Sequence, residues 1–173
     1  MYKGQKLCLI AACLLFIATF AFYWFSYIFA DVVYYTNGFG LIRNYLDLWT
    51  NYNTKSLELG LPYVFYYGII VLFTILICSP IFLIIGMKIR ASSIIGSIMP
   101  IIVGVFIILY AFIGFGLTFI NWLSLLGDSE PMIEGIFPIS LGIEGRFEFF
   151  GAYVLLAGGI IGLIGGKVGP KEV

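Results

Sequence analysis

Four long apolar stretches without a single charged residue set the main constraint on how this chain folds. They cover residues 7–30, 61–87, 93–120 and 149–166. About 20 consecutive apolar residues are enough to cross the hydrocarbon core of a bilayer as a helix. The first stretch is longer than the apolar core of a signal peptide, about 7–15 residues, and therefore indicates a span. The sequence predicts an all-α transmembrane protein, a single four-span domain folded as an antiparallel four-helix bundle.

Lysine and arginine are unevenly distributed between the two sides of these spans. One side carries six of them against a single acid, Glu172, a net charge of +5: Lys3, Lys6, Lys88, Arg90, Lys167 and Lys171. The other side carries three, Arg43, Lys55 and Arg146, against eight acids, a net charge of −5. Short loops rich in Lys and Arg stay in the cytoplasm. We therefore predict a multi-pass plasma-membrane protein with both termini cytoplasmic and with external loops at residues 31–60 and 121–148.

The composition excludes several classes of function. The 173 residues include no His, which removes the commonest general base and metal ligand. The four stretches contain no ionisable side chain except Cys and Tyr, whereas proton relays, coupled transporters and voltage sensors need charges within the membrane. Charged residues make up 10% of the chain and form no basic patch for nucleic acid. We expect no cofactor and no metal, because the acidic run Asp128, Glu130 and Glu134 lacks a calcium-loop pattern.

The first external loop, residues 31–60, is the longest stretch that is not apolar, and it is the main candidate for a working surface. It opens with a β-branched and aromatic run, residues 32–36, which is typical of a strand. Asn37-Gly38 then predicts a hairpin turn, because both residues tolerate positive φ. The spacing of apolar pairs in residues 41–49 suits a short amphipathic helix better than a strand and leaves both open. The loop contributes four candidate partner contacts: Tyr34, Tyr35, Leu48 and Trp49.

Alternating apolar residues occur in both external loops. Ser56–Leu61 and Ile139–Glu144 each alternate with period two, as half-buried strands do. Two such strands can pair, so we predict a small external β-sheet formed from the two outer loops. Disulfides cannot link the two external loops, because the three cysteines, Cys8, Cys13 and Cys78, all lie in the apolar stretches.

Glycines recur every four residues in the last span. Gly158, Gly162 and Gly166 therefore fall on one helix face, and such a groove lets another helix approach closely. The groove could receive a helix of the same chain or a helix of a second protein. Both alternatives stay open from the sequence.

The topology, together with the Leu48-Trp49 pair in the first external loop, resembles the claudin/PMP22-type tetraspans. The resemblance implies cytoplasmic termini, a larger first external loop and a sheet built from both loops. It also implies that Trp49 lies at the junction of sheet and membrane. This chain departs from the family pattern, because Asp47 replaces the glycine before Leu-Trp and the two cysteines of the first loop are missing.

Four classes of function can be compared. We favour a non-enzymatic tetraspan that sits in membrane lipid and presents an external surface, either for self-association as a homo-oligomer or for binding other membrane proteins. The alternative is a small accessory subunit of a larger respiratory, secretion or transport complex, docked through the glycine face. A membrane enzyme would have to work without His, using acids whose spacing matches no acid–base pair: Asp47, Glu58, Asp128, Glu130 and Glu144. A pore is disfavoured because no span has a polar stripe.

Overall fold

The computed structural model of the chain describes residues 2–29, 32–36, 38–51, 53–54, 57, 60, 62–114, 139 and 150–168. Its long helices are α1 at Lys3–Phe20, α3 at Tyr63–Gly86, α4 at Arg90–Ile113 and α5 at Phe150–Val168. Each is long and apolar enough to cross a membrane. Strands β1 (Phe25–Phe29) and β2 (Val32–Thr36) and helix α2 (Gly38–Thr50) lie between α1 and α3.

The four long helices form the predicted antiparallel bundle. Helix α1 packs mainly on α5, α5 also packs on α4, and α3 packs on both α4 and α1, which closes the ring. Gly165 of α5 faces Cys8, whereas Gly158 faces Leu15, so α1 and α5 run in opposite directions. We call the end that holds residues 2–9, 86–93 and 164–168 the turn end. The opposite end, with β1, β2 and α2, is the lobe end.

The bundle is apolar on its outside as well as in its core. Fully buried side chains such as Leu15, Ile70 and Ile107 fill the centre. Large apolar side chains are exposed on the outer faces of all four helices, among them Ile10, Phe16, Leu72, Ile85, Ile98 and Ile160. Monomeric soluble proteins rarely expose apolar patches of this extent, and helices apolar all round are typical of membrane spans. The four helices therefore suit a multi-pass membrane protein.

The first helix ends ten residues earlier than the predicted span of residues 7–30. It stops at Phe20, and the chain reverses so that the indole Nε1 of Trp24 donates a hydrogen bond to the Ala18 carbonyl at 2.8 Å. The carbonyls of a last helical turn lack partners within the helix. Trp24 satisfies one of them, and the aromatic run that follows forms β1, so the prediction of a helix to Ala30 was wrong.

The other spans differ less from the prediction. Pro62 is the N-cap of α3, and the short link to α4 spans only Met87–Ile89, which matches the expected tight antiparallel pair. Helix α4 stops at Ile113 rather than Ile120, because Gly114 adopts a left-handed conformation with φ of 68°. Glycine is the usual residue at such a helix end. Residues 115–120 lie outside the described part of the chain.

The two strands pair with each other in an antiparallel register, from Phe25 opposite Thr36 to Phe29 opposite Val32. The strand predicted at residues 32–36 is confirmed. The predicted Asn37-Gly38 hairpin turn is wrong, because Gly38 begins α2 and the strand partner precedes β2 instead of following it. Gly38 lets the start of α2 approach α1 closely, because a Cβ at this position would collide with Thr19 of α1.

The sheet differs from the one predicted from both outer loops. Ile139 of the second loop forms a single parallel bridge with Phe22, in which its N–H donates to the Ala21 carbonyl at 2.7 Å. Its expected partner, Ser56–Leu61, is not a strand at its described positions: Leu57 is helical and Gly60 lies in a turn. The remaining residues of that pairing, 140–143, are not among the described ones.

Residues 38–50 form a helix, which answers the question left open for residues 41–49. Helix α2 lies along α3 rather than beyond it. Ile42, near its start, shares a cavity with Cys78, deep in α3, and Trp49, near its end, stacks on Tyr67 close to the start of α3. Helix α2 therefore occupies the space left by the early end of α1, which has 18 residues against 24 in α3.

Candidate functional site

Among the candidate contact residues whose side chains the structure describes, Trp49 is the exposed one. It is 40% exposed, and its ring centroid lies 5.5 Å from that of Tyr67 with a tilt of 35°. A tilted pair at this distance is worth about 0.5–1.5 kcal/mol beyond its buried area. The indole thus packs on Tyr67 with part of its surface and leaves another part exposed.

The other three candidates of the first loop lie in β2 and α2. Tyr35 is half-buried, and its ring packs on the buried Tyr23 with 4.9 Å between centroids. Tyr34 belongs to β2 and pairs with Tyr27 of β1, and Leu48 belongs to α2. The described contact of Tyr35 thus points into the lobe, where it supports the fold.

A cavity of about 320 Å³ separates α2 from α3. It is lined by Ile42, Thr74, Ile77 and Cys78. The Thr74 hydroxyl donates to the Ile70 carbonyl of its own helix at 2.8 Å, which leaves the lining almost wholly apolar. The described lining suits an aliphatic chain. The sequence did not indicate the cavity, since it depends on where α2 docks.

The glycine face of α5 is covered by the chain's own helices. Gly158, Gly162 and Gly166 are all buried. A Cβ on Gly158 would lie 2.6 Å from a methyl of Leu15, and one on Gly162 would lie 2.6 Å from a methyl of Leu83. A Cβ on Gly166 would lie 2.8 Å from the Ser93 hydroxyl. These are the contacts of the intramolecular alternative, and they leave no open groove for a second protein.

A small polar cluster near the turn end was missed from the sequence. The Ser93 hydroxyl donates to the Gly162 carbonyl at 2.8 Å and lies 3.4 Å from the Cys8 sulfur, and the Ser97 hydroxyl donates to the Ser93 carbonyl at 2.6 Å. Hydrogen bonds between spans fix how helices associate in an apolar medium. The available signal was the small-residue series Ser93, Gly96 and Ser97 on one face of α4.

The described residues offer little for acid–base or metal chemistry. Among them, no group of three or more His, Cys, Asp or Glu could hold a metal ion. Of the acids considered for an enzyme, Asp47 belongs to α2, whereas Glu58, Asp128, Glu130 and Glu144 lie outside the described part. The described residues form a packed bundle, and Trp49 is exposed on α2 beside it.

Neither the protein-family models, nor the curated proteins, nor the solved structures contain a match to this chain.

Proposed function

We propose that this chain is a non-enzymatic, four-span protein of the plasma membrane that uses its lobe for self-association or for binding another membrane protein. The observation that carries the proposal is Trp49, exposed on a helix that lies against the bundle and steadied by Tyr67. Tryptophan and tyrosine are enriched among residues that dominate binding energy at interfaces. A rigid aromatic pair also costs less entropy to bind than a mobile side chain.

The proposed orientation has both termini in the cytoplasm and the lobe end of the bundle on the external side. Lys3 lies at the start of α1, Lys88 in the α3–α4 turn and Lys167 near the end of α5. Antiparallel packing gathers these three parts at the turn end. The positive-inside rule then favours a cytoplasmic turn end. Epitope tags at the two termini should resist protease added to intact cells, and cleavage of either tag from outside would reverse the orientation.

The resemblance to claudin/PMP22-type tetraspans enters this proposal only as architecture: four spans with an ordered lobe on one side. Sealing between cells is not part of it. The accessory-subunit alternative loses its main argument, because it relied on the glycine face as a docking groove and Gly162 is already covered by Leu83. The lobe, with Trp49, is the better place for a partner to bind.

Photo-crosslinking in native membranes tests the lobe directly. A benzophenone amino acid replaces Trp49 in one variant and Phe16 in another. Phe16 is a matched control because it is an exposed aromatic residue on the outer face of α1, a different helix from the one that carries Trp49. We expect position 49 to give protein adducts, at twice the mass of the chain for self-association or at another mass for a different partner.

Position 16 should give lipid adducts alone, since it lies on the apolar outer face of the bundle. Monomers without protein adducts at position 49 would contradict the proposal. Equal protein crosslinking from both positions would also contradict it, because the contact would then not belong to the lobe.

A further inference from the structure

The turn end of the bundle carries five exposed cationic side chains, which we call the basic rim: Lys3, Lys6, Lys88, Arg90 and Lys167. They come from three separate parts of the chain, the start of α1, the α3–α4 turn and the end of α5. The bundle brings these parts to the same end, so the rim is a property of the fold rather than of a basic sequence motif.

Direct contacts between neighbours of these cations hold the rim together. The side-chain amide of Gln5 donates a hydrogen bond to the backbone carbonyl of Met87 at 3.2 Å. Gln5 directly precedes Lys6, and Met87 directly precedes Lys88. A Cβ on Gly165 would lie 3.1 Å from the Gly4 carbonyl, which is how closely the start of α1 and the end of α5 approach. Each of the two contacts joins helix ends that carry rim cations.

The third contact completes the ring. A Cβ on Gly166, next to Lys167, would lie 3.7 Å from the carbonyl oxygen of Arg90. The end of α5 therefore lies against the start of α4, as it does against the start of α1. The five rim side chains therefore extend from helix ends that contact one another.

The described part of the chain gives the basic rim no acidic counterpart. Residues 2–9, 86–93 and 164–168 contain no Asp or Glu, and the one acid among the described residues, Asp47, belongs to α2 in the lobe. Lys171 and Glu172 lie outside the described residues, and their formal charges offset each other. The positive charge of the rim is therefore open to an anion from the surroundings.

Exposed apolar side chains alternate with the rim cations. Tyr2 precedes Lys3 and is 70% exposed, Ile89 separates Lys88 from Arg90 and is 50% exposed, and Val168 follows Lys167 and is 52% exposed. A ligand that reaches a rim cation therefore meets apolar surface at the same place. A lipid provides both an anionic headgroup and an acyl chain, whereas free phosphate provides only the charge.

We propose that the basic rim binds the phosphate headgroups of anionic lipids, with their acyl chains against the apolar faces beside it. Lys and Arg side chains at the end of a span extend their charge to the headgroup layer while their methylene groups stay in apolar surroundings. Basic residues next to a membrane attract anionic lipid with additive strength per residue. The inference rests on membrane insertion, but not on any partner of the lobe.

Native mass spectrometry of the purified protein in a mild detergent tests this proposal. The protein is mixed with phosphatidylglycerol or with phosphatidylcholine of the same acyl chains, and the lipids retained are counted. We expect preferential retention of phosphatidylglycerol, because its net negative charge complements the rim. Equal retention of the two lipids would overturn the proposal. The detergent complex has no sidedness, so the result does not depend on orientation or on a lobe partner.

Charge variants locate the binding. Neutralising Lys88→Gln, Arg90→Gln and Lys167→Gln together should weaken phosphatidylglycerol binding on the order of 100-fold, about fivefold for each cation removed. The single variant Arg90→Gln gives the fivefold step by itself if the triple variant does not fold. The charge-preserving set Lys88→Arg, Arg90→Lys and Lys167→Arg should bind like the parent, since the charge of the rim is unchanged.

Arg43→Gln is the matched control, because Arg43 is an exposed cation in α2, away from the rim. It should retain phosphatidylglycerol like the parent, and an equal loss in this variant would overturn the proposal. Glycerol phosphate, which carries the charge without acyl chains, should compete poorly with the lipid. Full competition by glycerol phosphate would show a simple phosphate site and would contradict lipid recognition.

Discussion

Two segments of similar length, residues 3–50 and 63–113, are both rich in apolar residues and fold in different ways. The second forms two helices of 24 residues joined by a three-residue link. The first forms a helix of 18 residues, two strands and a helix of 13 residues. The second segment provides two spans and the first provides one. Apolar content alone therefore does not determine how many spans a segment provides.

The difference lies in which side chains can satisfy the backbone. In α3 and α4 every turn continues the helix, and Gly86 and Gly96 let the two backbones approach: a Cβ on Gly96 would lie 2.9 Å from the Ser79 carbonyl oxygen. After Phe20, the indole of Trp24 takes over the Ala18 carbonyl and stops the helix. The second half of the apparent span thus folds back as β1, and an aromatic side chain satisfies a carbonyl at the helix end.

Breaking the lobe at Trp24 should have the largest effect. Trp24 is fully buried, and Trp24→Ala removes both its volume and its bond to Ala18. We expect a loss of about 3–5 kcal/mol in the free energy of unfolding. The same substitution at the exposed Trp49 should cost about 1 kcal/mol. Unfolding of both variants in mixed micelles measures the difference, and equal losses would show that Trp24 does not hold the lobe.

The α3–α4 pair can be broken at its closest approach with a smaller effect. Gly96→Ala places a methyl 2.7 Å from the Cβ of Phe82 and 2.9 Å from the Ser79 carbonyl, so the helices must separate. We expect a loss of about 1–3 kcal/mol. Gly68→Ala is the control on α3, because a Cβ there has no neighbour within 4 Å.

The control should be neutral or stabilising by up to about 1 kcal/mol, since Ala favours helix more than Gly does. Thermal unfolding followed by circular dichroism measures both variants. A Gly96→Ala protein as stable as Gly68→Ala would mean that close backbone approach does not hold the pair.

The smallest effect is expected at Ser93, where α4 meets α5 and α1. Ser93→Ala removes the bond from α4 to the Gly162 carbonyl of α5 and the contact with Cys8 of α1. Hydrogen bonds between membrane helices average about 0.6 kcal/mol, which is the loss we expect in the free energy of unfolding. Ser79→Ala is the matched control, because Ser79 is equally buried but donates to Ile75 of its own helix. Identical stabilities would show that the hydrogen bond between α4 and α5 does not stabilise the bundle.

The sequence was enough to predict the elements that depend on local properties. Hydropathy located α3, α4 and α5. The short polar link Lys88–Ser92 predicted the tight pairing of α3 with α4. The β-branched run predicted β2. These predictions need only the preferences of neighbouring residues, and no distant contact competes with them.

The predictions that failed depend on tertiary contacts. The span expected over residues 7–30 is interrupted by Trp24, whose partner carbonyl becomes available only when the chain reverses. The Asn37-Gly38 pair matched a hairpin turn, but Gly38 serves the approach to Thr19. The cavity beside Ile42 and the packing of Leu83 against Gly162 likewise depend on which helices meet. No periodicity within a single segment contains that information.

The pairing of α1 with α5 has a consequence for the order of assembly. Cys8 of α1 is buried against Gly165, more than 150 residues later in the chain. As the chain is synthesised, α3 and α4 can pair at once, whereas α1 has its main partner only after α5 has been made. We expect Cys8 to react with thiol reagents in nascent chains halted before residue 150 and to become protected in the full chain. Early protection of Cys8 would show that the bundle closes without α5.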